Sequence, residues 1–155
     1  VRLGMTEPHD WRLDRTLTTD TETLSYGFVN TGVPHAVVPV TDLEGCDVMT
    51  RGRAIRRHRE FAPAGTNANF VEVAGPQALR IRTYERGVEA ETRACGTGIV
   101  AAALVLAKSG QVTPPVDVSA CGGHLTVNFT LSPEGADDVT LLGPAVYVFE
   151  GILEH

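Results

Sequence analysis

The chain is poor in cysteine, in aromatic residues and in positive charge, and each shortage narrows what it can be. Its three cysteines, Cys46, Cys95 and Cys121, have neither C-x-x-C spacing nor H-x-x-H companions, which suits neither a disulfide scaffold nor a structural zinc site. A reducing, cytoplasmic setting is the expectation. Lysine and arginine number 13 against 19 acidic residues, for a net charge of -6, whereas a general nucleic-acid binder needs a positive field to collect phosphates. A small-molecule or protein partner fits better. No apolar run reaches the roughly 20 residues that cross a bilayer, and the N-terminus lacks the basic-then-apolar form of a signal peptide. Neither membrane association nor export is expected. Gly-x-Gly-x-x-Gly is absent as well, which argues against a dinucleotide fold.

What the chain does contain is a stretch around which the rest can be arranged, Tyr84–Lys108, reading YERGVEAETRACGTGIVAAALVLAK. From Ile99 to Ala107 it holds only Ala, Val, Leu and Ile, so a helix there is apolar on every side and must be enclosed. Lys108 falls in the last turn, where a cation suits the carbonyl end of the dipole, and Gly110 follows as a C′ residue. The helix is predicted to end near Ser109. Cys95-Gly96-Thr97-Gly98 opens it, placing a thiol beside unpaired backbone N–H groups, an arrangement that can hold an anion and favours thiolate. A buried free cysteine is equally at home as a small hydrophobe, and spacing alone leaves both readings open.

Along the chain, Val1–Met5 is predicted to be a short opening strand and Thr6–Arg15 a loop. Thr23–Val29 and Ala36–Val40 read as strands around the turn Asn30–His35. Asp42–Phe61 reads as helical, with Val48, Met49 and Ile55 facing inward, Gly52 weakening it, and five arginines from Arg51 to Arg59 on a solvated face with local ion pairs. Phe61–Asn69 has loop chemistry, and Phe70–Val73 and Ala78–Tyr84 are strands joined at Gly75-Pro76. Val116–Ala120, Leu125–Leu131, Val139–Leu142 and Ala145–Phe149 follow as antiparallel strands. With about eight strands and no βαβ alternation, the predicted fold is α+β: a mostly antiparallel curled sheet or barrel wrapped around one buried central helix.

Four loops then carry side chains suited to a zwitterionic amino acid: His35, Asn67, Glu85-Arg86, and Cys95 with its helix amides. Arginine can bind carboxylate in a bidentate manner, and Glu and Asn can accept from ammonium. Each residue also has an ordinary explanation, His35 as a packed turn residue, Asn67 as an Asx-turn residue and Glu85-Arg86 as a strand-end pair. What joins them is a resemblance. With Glu-Arg upstream of a CGTG that opens an apolar helix, the sequence resembles the diaminopimelate epimerase family, from the Val1–Gly4 opening to the GPAVYVFEG ending. The family chemistry inverts the α-carbon of diaminopimelate, interconverting the LL and meso forms for lysine and cell-wall precursor synthesis. Two cysteines act from opposite faces, with no metal or other cofactor.

The resemblance implies that Cys95 is one of the two catalytic thiols, that His35 and Glu85 support catalysis, and that Asn67, Glu85, Arg86, Gly96 and Thr97 contact substrate, the last two through backbone amides. It covers only the second half of the family pattern. Residues 1–152 are therefore expected to be a single domain, the C-terminal lobe, nearly inactive without an N-terminal lobe that carries the other cysteine. A homodimer with Phe149 near its contact is a further implied partner. Leu153-Glu154-His155 reads as the start of a histidine tag. Val33 stands where the family often has a substrate-contacting Asn, and the loops before Asn67 and Cys95 are each one residue longer than the pattern. Cys121-Gly122-Gly123-His124 reads as a hairpin rather than a second catalytic centre, and Cys46 as incidental. Two other classes stay open. One is another two-lobed isomerase, such as a proline racemase, which typically has Pro where this chain has Ala94, or a phenazine-biosynthesis-type isomerase, which generally lacks the cysteine. The other is a non-catalytic module that binds a carboxylate ligand or another lobe.

Overall fold

The structure, a computed structural model, describes residues 1–152; the three residues read as a tag lie outside the described residues. Among the described residues, ten strands form one mixed sheet: β1 (Arg2–Gly4), β2 (His9–Thr18), β3 (Thr23–Asn30), β4 (Pro34–Pro39), β5 (Asn67–Gly75), β6 (Ala78–Glu85), β7 (Ala90–Thr92), β8 (Val116–Ala120), β9 (Gly123–Leu131) and β10 (Ala136–Leu142). Their order is β1-β10-β9-β8-β6-β5-β4-β3-β2, with β7 paired to β6 alone. The described residues also hold two α-helices, α1 (Val48–Arg56) and α2 (Gly96–Lys108), and one 3-10 turn at Arg59–Phe61.

The terminal signals of α2 work as its sequence requires. Cys95 is the N-cap with extended dihedrals, φ -129° and ψ 107°. At the other end Gln111 N donates to Leu106 O at 2.9 Å and Gly110 N to Ala107 O at 3.0 Å, with Gly110 at φ +73°. This is the Schellman pair of bonds, in a left-handed conformation that glycine adopts freely. Gly98 through Ala107 are all buried. Strands from both halves of the sheet order, β3 and β4 on one side and β9 and β10 on the other, touch α2, and the sheet is curled into a half-barrel. Burying Ile99, Leu104 and Leu106, each at most 1% exposed, contributes about 2 kcal/mol apiece before entropy is counted.

The other helix covers the opposite face. In β4, Val37 joins the cluster around α2, while Ala36 and Val38 join the one that holds Val48 and Ile55 of α1. The same alternation splits Val71 from Ala68 and Phe70 in β5. Strands β4 to β6 are covered on both faces, which is why they lack a clean polar alternation.

Several expectations need correction. Thr6–Arg15 is not a loop, because most of it lies in β2. The pairing of β2 with β3 shifts register between His9 and Arg12 and again between Arg12 and Arg15, and each shift carries an aspartate at positive φ, Asp10 at 56° and Asp14 at 52°. Two bulges erase the period-2 pattern that reveals a strand. Asp42–Phe61 is helical only over α1 and the 3-10 turn; Asp47 caps α1 by accepting from Thr50 N at 3.0 Å, and Met49 is exposed. Gly52 does not merely weaken α1, since a side chain there would run into Tyr84, with Cγ 2.6 Å away. Ala145–Phe149 forms no strand and its large side chains are exposed, since no neighbouring strand among the described residues supplies a ladder.

The expectation of no βαβ alternation also fails. β4 and β5 pair in parallel, as do β6 and β8, so β8 is not antiparallel to both its neighbours. α1 lies in the first crossover and α2 in the second. A parallel pair needs such a crossover, and these two carry the helices that cover the sheet's two faces.

Candidate active site

The start of α2 rests on three neighbouring strands. In β4, β5 and β6 the residues on the α2 face are apolar except at one end, where His35, Asn69 and Thr83 form a polar row. Asn69 is registered opposite Thr83 on one side and opposite Val37 on the other, with His35 diagonal to it two residues before Val37; all three polar residues are at most 3% exposed. Gly98 allows the contact. A Cβ there would sit 2.5 Å from Asn69 Oδ1 and 3.3 Å from His35 Cε1, so only a residue without a side chain lets the first helical turn approach this closely.

Polar groups buried this deeply must be paired, and these are. Asn69 Nδ2 donates to Ala36 O at 2.9 Å and lies 3.1 Å from His35 Nδ1, while Thr83 Oγ1 donates to Asn69 Oδ1 at 3.0 Å. The Ala36 carbonyl can only accept, which fixes the orientation of the Asn69 amide, so His35 Nδ1 receives a donor and must be unprotonated. The proton of the neutral ring is then on Nε2, 3.0 Å from Thr97 Oγ1. Burial, reinforced by the positive charge of Arg86, lowers the His35 pKa to about 3 against an Asn69 hydrogen bond that opposes the shift. His35 is therefore a neutral donor at ordinary pH, with both ring nitrogens occupied.

Thr97 Oγ1 lies 3.5 Å from Cys95 Sγ, and Thr97 O accepts from the buried Thr31 Oγ1 at 3.0 Å, which holds the helix start down. Cys95 is half-buried, and no side chain caps the helix. The N–H groups of its first turn are thus available to an anion, with the dipole favouring negative charge there.

The predicted residues converge on this point to different degrees. Asn67, next to His35 in the parallel register, has its amide engaged at both ends, Nδ2 with Pro34 O at 2.9 Å and Oδ1 with Arg86 N at 2.8 Å. It ties the strand end that bears Glu85-Arg86 to β4. The Arg86 guanidinium meets only a carbonyl, Ala64 O at 3.3 Å, and Glu85, half-buried, sits where β6 pairs with β7 at Ala90. Asn69, Thr83 and Thr31 were missed. An inward-phased polar residue within NANFVEV was the available signal for Asn69.

Cys121 and Gly122 form a two-residue turn between β8 and β9, with Ala120 opposite Gly123. Gly122 N donates to Arg93 O at 2.6 Å, bracing the segment that leads to Cys95, while the Cys121 thiol itself is exposed. Cys46 is buried and has a partner, Arg51 Nη1, 3.1 Å from its sulfur; burial raises its pKa. The arginines around it are mostly paired, Arg51 with Glu22 at 2.6 Å and Arg56 with Glu89 at 2.9 Å. A concavity of about 960 Å³ lies elsewhere, lined by residues such as Asp42, Arg51 and Gln111, the last of these just past the far end of α2. Among the described residues no helix is long and apolar enough to cross a membrane.

The fold, a mixed sheet curled into a half-barrel with two helices, has counterparts among known proteins. Solved structures share it: a probable proline racemase from Agrobacterium radiobacter K84, 18% identical with a TM-score of 0.68, and a hydroxyproline epimerase from Agrobacterium vitis, 21% identical with a TM-score of 0.65. Each match covers 90% of this chain and 48% of the other. The chain belongs to the diaminopimelate epimerase family, whose model matches residues 27–148. Curated relatives named diaminopimelate epimerase include those of Aquifex aeolicus, 49% identical over 100% of this chain and 55% of the relative, and Chlorobaculum tepidum, 45% identical over 99% and 58%. The chain spans little more than half the length of these relatives.

Proposed function

We propose that this chain is the second lobe of a cofactor-independent amino-acid epimerase that interconverts LL- and meso-diaminopimelate, with Cys95 supplying one of the two thiols. In this reading residues 1–152 are one domain, a sheet wrapped on a central helix. A separate N-terminal lobe carries the opposing cysteine, and the reaction belongs to lysine and cell-wall precursor synthesis in the cytoplasm. The observation that carries the proposal is the half-buried Cys95 thiol at the N-cap of α2, beside first-turn amides that no side chain caps.

The substrate α-carboxylate sits on the amides of Gly96 and Thr97. There it gains the dipole of α2 and leaves the α-carbon near the Cys95 sulfur. Arg86 and Glu85, held at the mouth by Asn67, address the remaining charged groups of a diamino acid. One thiolate removes the α-proton and a thiol on the opposite face returns one, which inverts the centre. His35, neutral and engaged at both nitrogens, takes no proton in this scheme and supports the thiol from behind. Substrate lies between two lobes, so one lobe alone presents only half of the site.

The test measures exchange of the diaminopimelate α-hydrogen with solvent deuterium. The 155-residue protein alone is expected to exchange it at background rate. Addition of the N-terminal half of the Aquifex aeolicus relative is expected to restore exchange, and Cys95→Ser to abolish it again. Exchange by the isolated chain that survives Cys95→Ser would sink the proposal, and binding of diaminopimelate with no exchange in the reconstituted pair would favour a non-catalytic module.

A further inference from the structure

We propose that Asn69 is a positioning residue that locks the tautomer of His35, so that the Thr97 hydroxyl has to donate its hydrogen to the Cys95 sulfur. The inference rests on the reading of Cys95 as a reacting thiol and adds a buried residue that touches neither substrate nor sulfur. Its basis is a one-directional chain of hydrogen bonds. The Ala36 carbonyl and the Thr83 hydroxyl fix which end of the Asn69 amide faces His35. The amide N–H then points at His35 Nδ1 across 3.1 Å. A ring that accepts at Nδ1 donates at Nε2, and Thr97 Oγ1, 3.0 Å away, must accept. The Thr97 hydroxyl is left to point its own proton at Cys95 Sγ across 3.5 Å.

Were the ring in the opposite tautomer, Nε2 would accept from Thr97 and turn its proton away from the sulfur. A thiolate holds the hydrogen bond in the first arrangement and loses it in the second. Burial keeps the arrangement in place. Asn69 and His35 are both 0% exposed, so no water competes for either nitrogen. Arg86 is the charge that bears on the ring, and it too opposes protonation. Gly98 completes the device, because any side chain there would push on Asn69 Oδ1.

Two measurements on the 155-residue chain test this without substrate. In long-range ¹H–¹⁵N spectra, His35 is expected to be protonated at Nε2 only and to show no titration between about pH 5 and 8. In Asn69→Asp, which puts an acceptor where a donor stood, Nδ1 is expected to become protonated. The second measurement follows the pH dependence of iodoacetamide alkylation at Cys95, resolved from Cys46 and Cys121 by peptide mass spectrometry. Thr97→Val is expected to raise its midpoint by about one unit, a tenfold loss of thiolate on the acid side, whereas Thr97→Ser keeps the wild-type value. A wild-type His35 protonated at Nδ1, or a Thr97→Val midpoint equal to wild type, would overturn the proposal; both readouts stand even if Asn69→Asp does not fold. Failure of reconstituted exchange would instead strike the epimerase reading and leave the relay intact.

Discussion

Mild acid should destabilise this protein through His35. The ring is fully buried, with a folded-state pKa of about 3 against an ordinary value of 6.5. Because the folded pKa is the lower one, the unfolded chain binds a proton that the native state refuses throughout the interval between them. The stabilising contribution is complete above the unfolded value and drains away as pH falls from there towards the folded one. Between about pH 7.5 and about pH 5 the loss from this one group is roughly 2 kcal/mol, a sizeable part of the ~5–15 kcal/mol that hold a domain together. Urea unfolding at the two pH values measures it. The wild type should lose about 2 kcal/mol more than His35→Gln over that interval. His35→Gln is itself less stable at neutral pH, so the comparison is of slopes and not of absolute stabilities. Equal pH dependence in the two proteins would refute the buried, neutral histidine on which the account of Thr97 and Cys95 also depends.

Other outcomes follow from close approaches. Gly98→Ala places a methyl 2.5 Å from Asn69 Oδ1 and is expected to cost about 2 kcal/mol by overpacking; in an Asn69→Ala background, where the oxygen is gone, the added cost should shrink by about 1 kcal/mol or more in a double-mutant cycle. Gly52→Ala, whose new methyl would meet the Tyr84 ring carbon Cγ at 2.6 Å, is expected to lose about 2 kcal/mol in urea unfolding, despite alanine's higher helix propensity. A gain in stability would mean that α1 can lift off β6 at little cost.

How far the site could be read in advance depended on which interactions define each part. Cys95, Gly96 and Thr97 are contiguous and announce themselves through a helix start, so their grouping needs no tertiary information. His35 is far away in sequence and reads as the last residue of a turn, although it lies within β4; the family resemblance alone singled it out. Asn67 was expected to meet substrate; its amide also spans two backbone segments, Pro34 and Arg86, a role that depends on β4 and β5 lying parallel. Asn69 passed unnoticed because one polar residue in an apolar strand says nothing by itself about what lies across the sheet. β2 was hidden by its aspartate bulges, and β7 by being only three residues long.

The limits and burial of α2 were determined by the sequence itself: a thiol and glycines at one end, lysine and Gly110 at the other, and only hydrocarbon between, since caps and all-round apolarity act within a few residues. Tertiary structure alone decided that the two helices would bridge parallel strand pairs and cover opposite faces. It also decided that His35, Asn69 and Thr83 would line up beneath Gly98. Which side chains share a row is set by the register between strands far apart in the chain, and register is the sum of many small contacts that no local stretch contains.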